Sequence, residues 1–265
     1  SSRKIAELLA GLDQVSLGNE TLTRDLVTGI LAGGHVLLEG LPGLGKTELV
    51  KGLARLCRIQ SGRVQFTPDL LPSDITGSYI LSQEEGRREF VFQEGPVFTN
   101  ILLGDEINRA SPKTQSALLE AMAERRVTVM GHTRPLPDPF FVVATQNPIE
   151  LEGTYPLPEA QVDRFLFKLH LGRPSQEVLG RIVRERTFGT PPVLEPALSL
   201  EELRDAIELA TQVYLAQPVA AYIARLIEAS HPDSPLAPES VRRYVRFGGS
   251  RSEEHTSELQ SRSDL

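Results

Sequence analysis

Residues 40–47 read Gly-Leu-Pro-Gly-Leu-Gly-Lys-Thr, and this stretch fits the phosphate-loop pattern Gly-x-x-x-x-Gly-Lys-Thr. The apolar run at residues 35–39 predicts a buried strand before it, and residues 48–56 carry apolar side chains at helical spacing after it. The glycines allow backbone N–H groups to turn toward phosphate oxygens, and the helix N-terminus adds partial positive charge. We therefore predict that Lys46 reaches the β- and γ-phosphates of a nucleotide and that the Thr47 hydroxyl binds Mg²⁺.

The alternative for this stretch is a glycine-rich turn before an ordinary helix, and the complete motif between a strand and a helix argues against it. A second loop, at residues 15–18, separates two short amphipathic helical patterns and is close in sequence to the phosphate loop. The candidate nucleotide-binding residues come from these two loops, the following helix and an acidic position downstream: Leu17, Gly18, Gly40, Pro42, Gly43, Leu44, Gly45, Lys46, Thr47, Glu48 and Asp105.

Length and composition limit the class of protein. The chain has 265 residues, which suits one large domain or two modest ones, and 40% of them are hydrophobic. The net charge of −7 argues against a nucleic-acid-binding surface over the whole chain, but it leaves a local basic groove open. The single cysteine, Cys57, excludes an internal disulfide and fits a reducing compartment, so we expect a cytoplasmic protein. The five histidines lack metal-ligand spacing and no apolar run approaches membrane-spanning length, so neither a structural metal nor membrane insertion is expected.

Strands and helices alternate over the first part of the chain, and this order predicts an α/β fold with a three-layer parallel sheet. Buried strands are predicted at residues 35–39, 100–104 and 140–145, and a further strand at residues 63–66. Ser111 followed by Pro112 is typical of a helix start, and this helix is expected to end near Arg125. Two β-hairpins are predicted, at residues 79–92 and 127–136.

The character of the sequence changes near Arg173-Pro174, after which apolar residues recur at helical spacing. We predict an α/β nucleotide-binding domain at residues 1–172 and a small α-helical domain at residues 173–250. Residues 251–265 are polar, serine-rich and without apolar periodicity, so we expect a disordered extension. They also resemble translated adapter sequence, which would make them a non-native tail.

Asp105 and Glu106 follow an apolar strand downstream of the phosphate loop. In that position the aspartate is expected to hold the Mg²⁺ shell, and the glutamate to orient and deprotonate the attacking water. An acidic pair at a solvated strand end is the alternative, and the preceding phosphate loop argues against it.

Two further polar residues are candidates for catalysis. Asn147 follows the strand at residues 140–145 and could bind the γ-phosphate or the water; the alternative is a turn asparagine before a proline. Arg164 could stabilise transition-state charge on the nucleotide of a neighbouring subunit. Pairing of Arg164 with Asp163 or Glu159 is the alternative reading.

Five segments resemble the MoxR family of AAA+ ATPases, and the resemblance covers about residues 1–250. They are Gly-His-Val-Leu-Leu-Glu-Gly-Leu-Pro-Gly-Leu-Gly-Lys-Thr (34–47), Gln-Phe-Thr-Pro-Asp-Leu-Leu-Pro-Ser-Asp-Ile-Thr-Gly (65–77), Asp-Glu-Ile-Asn-Arg-Ala (105–110), Ala-Thr-Gln-Asn-Pro (144–148) and Leu-Pro-Glu-Ala-Gln-Val-Asp-Arg-Phe (157–165). The resemblance implies a P-loop NTPase core of the AAA+ type followed by an α-helical lid, with ATP and Mg²⁺ as cofactors.

The resemblance also implies roles for the candidate residues. The Walker A motif is matched by Lys46 and Thr47, and the Walker B motif by Asp105 and Glu106. Sensor 1 is matched by Asn147, the arginine finger by Arg164, and the helix-2 and pre-sensor-1 inserts by the two hairpin segments. Family membership implies ring oligomers, usually hexamers, and chaperone-like remodelling of protein partners, often ones with a von Willebrand factor A domain.

The sequence departs from the family where the lid normally supplies a sensor-2 arginine. The segment at residues 248–250 runs directly into Arg251 without the expected proline, and no helix follows. The lid is therefore expected to be incomplete, and Arg251 is not assigned the sensor-2 role. Two other functions remain open: a nucleic-acid motor or magnesium-chelatase-like subunit on the same fold, and a nucleotide-binding scaffold without turnover. The net acidity argues against a nucleic-acid motor, and the intact Glu106 argues against a scaffold.

Overall fold

Five strands pair side by side as a parallel sheet. The structure is a computed structural model that describes residues 2–40, 45–84, 87–147, 153–172, 175–184, 192–246 and 248–249. In chain order its elements are α1 (Ser2–Val15), α2 (Glu20–Leu31), β1 (His35–Gly40), α3 (Lys46–Leu56), β2 (Ser61–Gln65), α4 (Pro72–Thr76), β3 (Gly77–Glu84), β4 (Arg87–Glu94), β5 (Ile101–Asp105), a 3₁₀ helix (Ile107–Arg109), α5 (Pro112–Glu124), β6 (Arg126–Val129), β7 (His132–Pro135), β8 (Phe141–Gln146), α6 (Glu159–Val162), β9 (Phe165–Leu171), α7 (Gln176–Ile182), α8 (Leu200–Thr211), α9 (Gln217–Ser230) and α10 (Glu239–Tyr244).

The order of strands across the sheet is β2-β5-β8-β1-β9. The three central strands are buried along almost their whole length, which explains why their sequences are continuous apolar runs rather than alternating ones. All four strands predicted from the sequence belong to this sheet, and the parallel α/β prediction is confirmed. The strand β9 was not among the predicted strands.

Helices cover both faces of the sheet because successive strand residues point to opposite sides. From β1, Val36 and Leu38 pack into a core that includes side chains of α1, α2 and α3. The residue between them, Leu37, packs into a second core with Leu118 and Met122 of α5. Full burial of one such side chain contributes about 1.5–3 kcal/mol. The three-layer prediction is therefore confirmed.

The predicted start of α5 is also confirmed. The N–H of Thr114 donates to the Ser111 side-chain oxygen at 3.4 Å, and Pro112 occupies the first turn. The helix ends at Arg125, which has φ 52° and donates from its guanidinium to the carbonyls of Phe140 and Gly33. This side chain thereby connects the end of α5 to the start of the sheet.

Both predicted hairpins are present, as β3 with β4 and β6 with β7. They contact each other through Arg134, whose guanidinium lies 4.3 Å from the ring centroid of Phe92 and 6.0 Å from that of Tyr79. The His132 ring also lies against Tyr79, with centroids 5.8 Å apart. These ring and cation–π contacts join the two hairpins.

The chain divides into two compact units, Ser1–Thr211 and Gln212–Leu265. The first unit continues past the sheet because the N–H groups of Ala197 and Leu198 donate to the Leu56 carbonyl, and Leu203 is buried in the core beside α1 and α3. The second unit contains α9 and α10. The predicted domain boundary between residues 172 and 173 stays a prediction, and the tail at residues 251–265 lies outside the described residues. None of the helices in the described ranges is long and apolar enough to cross a membrane.

Candidate functional site

The carboxyl ends of β1, β5 and β8 meet at a cleft of about 160 Å³. Parallel strands end at the same edge of a sheet, and this edge is where such folds bind ligands. Eight of the predicted site residues line the cleft: Gly40, Gly45, Lys46, Thr47, Glu48, Asp105, Glu106 and Asn147. The remaining phosphate-loop candidates, Pro42, Gly43 and Leu44, lie outside the described residues.

Lys46 is the first residue of α3 and projects into this cleft. Its Nζ donates to the Gly40 carbonyl at 2.9 Å, so the ammonium reaches back across the loop to the end of β1. Partial burial lowers the pKa of Lys46, and the negative charges of Asp105 and Glu106 oppose that shift. The preceding residue, Gly45, has φ 78°, a conformation that glycine adopts without strain. A cation at a helix N-terminus is thus placed where an anion can bind.

Thr47 and Asp105 supply one hydroxyl oxygen and one carboxylate to the cleft that Lys46 lines. Oxygen donors of these two types suit Mg²⁺, which binds to one or two protein groups and to substrate phosphates rather than to a full protein cage. The donor set therefore fits the ion that the sequence predicts. In the described ranges there is no group of three or more His, Cys, Asp or Glu side chains that could form a different metal site.

Hydrogen bonds hold both oxygens of the Asp105 carboxylate. Its Oδ1 accepts from the Thr145 hydroxyl at 2.7 Å, and its Oδ2 accepts from Arg63 Nη2 at 2.8 Å. Thr145 lies on β8 and is fully buried, whereas the Arg63 side chain on β2 is 51% exposed. The carboxylate is thus fixed from both neighbouring strands of the sheet.

Glu106 is held in the left-handed backbone region, with φ 59° and ψ 50°. This conformation is uncommon for a residue with a side chain. The Glu106 Oε2 accepts from Gln65 Nε2 at 2.8 Å and from Arg109 Nη1 at 3.0 Å. Glu106 lines the cleft and these two partners hold its carboxylate, at a place where a base for an attacking water is expected.

Glu39 lies immediately before the phosphate loop and joins three strands at the same edge. Its carboxylate accepts from Gln146 Nε2 at 2.8 Å and lies 3.2 Å from Lys168 Nζ and 2.9 Å from His170 Nδ1. Partial burial alone would raise the pKa of Glu39, but these hydrogen bonds and charges outweigh it and lower the pKa below its usual value. An ionised Glu39 therefore ties β8 and β9 to the start of the loop.

Comparisons with known proteins agree with this geometry. The sequence pattern of the ATPase family associated with various cellular activities (AAA) matches residues 35–167. The chain is 46% identical to Chaperone MoxR1 of Mycobacterium tuberculosis, over 89% of this chain and 62% of that one. It is 47% identical to the protein YeaC of Bacillus subtilis, over 85% of this chain and 71% of that one. The chain belongs to the MoxR family of AAA+ ATPases.

A solved structure supports the same membership. The crystal structure of a protein from Cytophaga hutchinsonii, named as an ATPase, matches 94% of this chain and 75% of its own with a TM-score of 0.85 and 40% identity. The chain thus spans between about three fifths and three quarters of the length of these three relatives.

The two remaining catalytic candidates, Asn147 and Arg164, lie in different places. Asn147 lines the cleft, is 8% exposed, and its backbone carbonyl accepts from Asn108 Nδ2 at 3.4 Å. Arg164 lies between α6 and β9 and donates from Nη1 to the Leu119 carbonyl at 2.9 Å. It does not belong to the described cleft lining, so its predicted role as a finger toward a neighbouring subunit stays a prediction.

The loop at Leu17-Gly18 also does not belong to the described lining of the Lys46 cleft. Leu17 is buried, and Gly18 has φ 74° and packs so closely that a Cβ there would be 2.6 Å from a methyl carbon of Val178. Gly18 lines a second cleft, of about 210 Å³, which His170 also lines. The predicted nucleotide contacts of Leu17 and Gly18 stay predictions.

Sequence reasoning did not identify several residues that hold the Asp105 and Glu106 carboxylates. Arg63 and Gln65 come from the edge strand β2, Arg109 from the 3₁₀ helix, and Thr145 from β8. Gln65, Arg109 and Thr145 belong to segments that resemble the family, and for Thr145 a polar residue in an otherwise apolar strand was a further signal. Arg63 looks like an ordinary solvated residue in the sequence.

Proposed function

We propose that this MoxR-family chain binds ATP with Mg²⁺ in the cleft at Lys46 and hydrolyses it. The observation that carries the proposal is the convergence of Lys46, Thr47, Asp105, Glu106 and Asn147, from two strand ends and one helix start, on one cleft. Positively charged, oxygen-donating and basic groups are the parts that phosphoryl transfer to water requires.

Each of these residues has a distinct part in the proposed reaction. The Lys46 ammonium and the N-terminus of α3 bind the phosphate chain, and Asn147 binds the γ-phosphate or the water. Thr47 and Asp105 would hold Mg²⁺, which when bound neutralises charge on the phosphate oxygens. Glu106 accepts a proton from the water while the water oxygen attacks the γ-phosphorus and the bond from phosphorus to the leaving β-phosphate oxygen breaks.

The Glu106→Gln variant tests this assignment, because an amide retains the shape of the side chain but cannot accept the proton. We expect ATP affinity close to that of the wild type and phosphate release reduced about 10²- to 10⁴-fold. The matched control is Glu124→Gln, which makes the same chemical change to an exposed carboxylate that pairs with Arg126. Substantial turnover by Glu106→Gln would remove Glu106 from the role of base.

We further propose that the protein acts in the cytoplasm as a ring, of six subunits by family resemblance, with Arg164 of one subunit completing the site of the next. Activity should then rise with protein concentration as rings assemble. A mixture of Arg164→Ala and Glu106→Gln subunits should regain activity, since one kind of interface pairs an intact Arg164 with an intact Glu106. An arginine finger contributes on the order of 10³-fold or more in rate. Absence of rescue together with concentration-independent activity would count against the finger.

We propose protein partners rather than nucleic acid as the target of the ATP-driven change. The name Chaperone MoxR1 of a relative at 46% identity supports this role, and so do Leu81 and Phe90, which pair across the β3–β4 hairpin and are 55% and 70% exposed. Proteins with a von Willebrand factor A domain are the partners that the resemblance suggests. A purified domain of this kind should stimulate ATP turnover, and Phe90→Ser should weaken the stimulation without changing the basal rate. Stimulation by DNA or RNA instead would favour the nucleic-acid motor.

A further inference from the structure

Thr145 is a buried residue that forms hydrogen bonds with both Asp105 and Glu106. The strands β5 and β8 are paired in parallel up to Gly104 and Ala144, and the next residue on each strand is Asp105 and Thr145. The Thr145 Oγ1 lies 2.7 Å from Asp105 Oδ1 and 2.9 Å from the backbone nitrogen of Glu106. One fully buried hydroxyl therefore contacts both acidic residues.

The two contacts fix the direction of the single hydroxyl proton. The Glu106 nitrogen can only donate, so the Thr145 oxygen accepts from it with a lone pair. The hydroxyl proton is then free to point only at the other partner, which is the Asp105 carboxylate and can only accept. The backbone at Glu106 thus orients the hydroxyl, and the hydroxyl orients the carboxylate.

The other bond to this carboxylate is weaker as an anchor. Arg63 donates to Asp105 Oδ2 at 2.8 Å, but its side chain is 51% exposed and that bond is shared with solvent. The Thr145 bond is shielded from water and comes from a central strand, with one rotatable bond between the hydroxyl and the backbone. The Thr145 hydrogen bond is therefore the contact that restricts rotation of the Asp105 carboxylate.

We propose that Thr145 is a positioning residue for magnesium, which keeps the Asp105 carboxylate in the orientation that the metal shell of bound Mg·nucleotide requires. This inference rests on the proposed function, since it refines the same site. Mg²⁺ requires near-ideal octahedral geometry. Mutation of a group that hydrogen-bonds to a metal-ligating side chain and orients it lowers metal affinity about 10- to 100-fold. The contact to Glu106 gives Thr145 a second task, which is to hold the base in its left-handed turn.

The test separates nucleotide affinity from its dependence on Mg²⁺. A fluorescent ADP is titrated into the whole protein in excess Mg²⁺ and again in EDTA, and the ratio of the two affinities is the magnesium gain. Thr145→Val retains the shape of the side chain and removes the hydroxyl. We expect this variant to lose about tenfold or more of the magnesium gain, with its affinity in EDTA unchanged.

Two further comparisons keep a folding defect apart from a positioning defect. Thr145→Ser and Thr145→Ala differ by one hydroxyl, and we expect the serine to retain the magnesium gain and the alanine to lose it. Thr99→Val makes the same change at a buried hydroxyl that has no hydrogen-bond partner among the described residues, at the opposite end of β5. We expect this control to behave like the wild type in both titrations.

The outcomes distinguish this inference from the proposed function. A wild-type protein that binds no nucleotide, or binds it without a magnesium gain, would overturn the magnesium site and the inference together. A wild-type magnesium gain that Thr145→Val and Thr145→Ala both retain would overturn the inference alone. Equal losses in Mg²⁺ and in EDTA would also overturn it, because they would show a general role of Thr145 in the structure.

Discussion

Folding stability should fall between pH 7 and pH 5 because of His35. This side chain is 6% exposed, its Nδ1 accepts from the Val142 N–H at 3.0 Å, and its Nε2 lies 3.3 Å from the Met122 carbonyl. The two contacts use the neutral ring as one acceptor and one donor. Burial, with a contribution from the charge of Arg125, lowers the pKa of His35 from 6.5 to about 4.

The sign and size of the effect follow from that pKa. Above pH 6.5 the ring is neutral in both the folded and the unfolded chain, so His35 adds no pH dependence to the free energy of unfolding. Below pH 6.5 the unfolded chain binds a proton that the folded one does not, and this stabilises the unfolded state. At 1.36 kcal/mol per pKa unit, the loss is about 2 kcal/mol at pH 5 and about 3 kcal/mol at pH 4.

The assay is urea unfolding of the wild type and of His35→Gln at pH 7 and pH 5. Carboxylates with a lowered pKa, such as Glu39, lose their contribution only at lower pH, so pH 5 isolates the histidine. His35→Gln should be less stable than the wild type at pH 7, since the packing is altered, but should lose about 2 kcal/mol less on acidification. An equal loss in the two proteins would show that protonation of His35 does not cause the loss of stability.

Substitutions of Arg134 and Gly95 and chemical labelling of Cys57 test three further features of the packing. Arg134→Ala removes the guanidinium above Phe92 and should cost about 0.5–2 kcal/mol of stability, measured by thermal unfolding beside the wild type. Gly95→Ala places a Cβ 2.2 Å from a backbone oxygen and should cost about 1–3 kcal/mol, whereas Gly180→Ala, inside α7 and with open space around it, should stabilise the protein by about 0.5–1 kcal/mol in the same assay. Cys57 is fully buried and burial raises its pKa to about 12, so a thiol reagent should label the native protein only after it unfolds; rapid labelling under native conditions would contradict this.

Much of the fold could be predicted because its central strands and its phosphate loop have local signals. The segment at 140–145 is a continuous apolar run because β8 is buried on both faces, and burial of this kind is visible in the sequence. The strand β9 was missed because charged and polar side chains interrupt its apolar residues. Its exposed positions include Lys168 and His170, and the resulting alternation is short and does not distinguish an edge strand from a loop.

The candidate site divides in the same way between local and non-local signals. Lys46 and Asp105 stand out because each lies in a motif with a recognisable strand before it. The residues that hold the acidic pair, such as Gln65 and Thr145, are about 40 residues away from it in sequence, and only the strand register brings them into contact. A hydrogen bond across a sheet leaves no periodic pattern in either strand, so the sequence could not show these partners.

The ATPase activity proposed for this cleft is tested by the rate of phosphate release from ATP by the wild type and by Lys46→Ala, in the presence and absence of Mg²⁺. We expect Mg²⁺-dependent release by the wild type and its loss in Lys46→Ala, because the ammonium in the cleft at the start of α3 is the main partner of the β- and γ-phosphate charge. Gly180→Ala in the same series controls for the handling of variants. Equal phosphate release by Lys46→Ala and the wild type would show that ATP is not hydrolysed in this cleft.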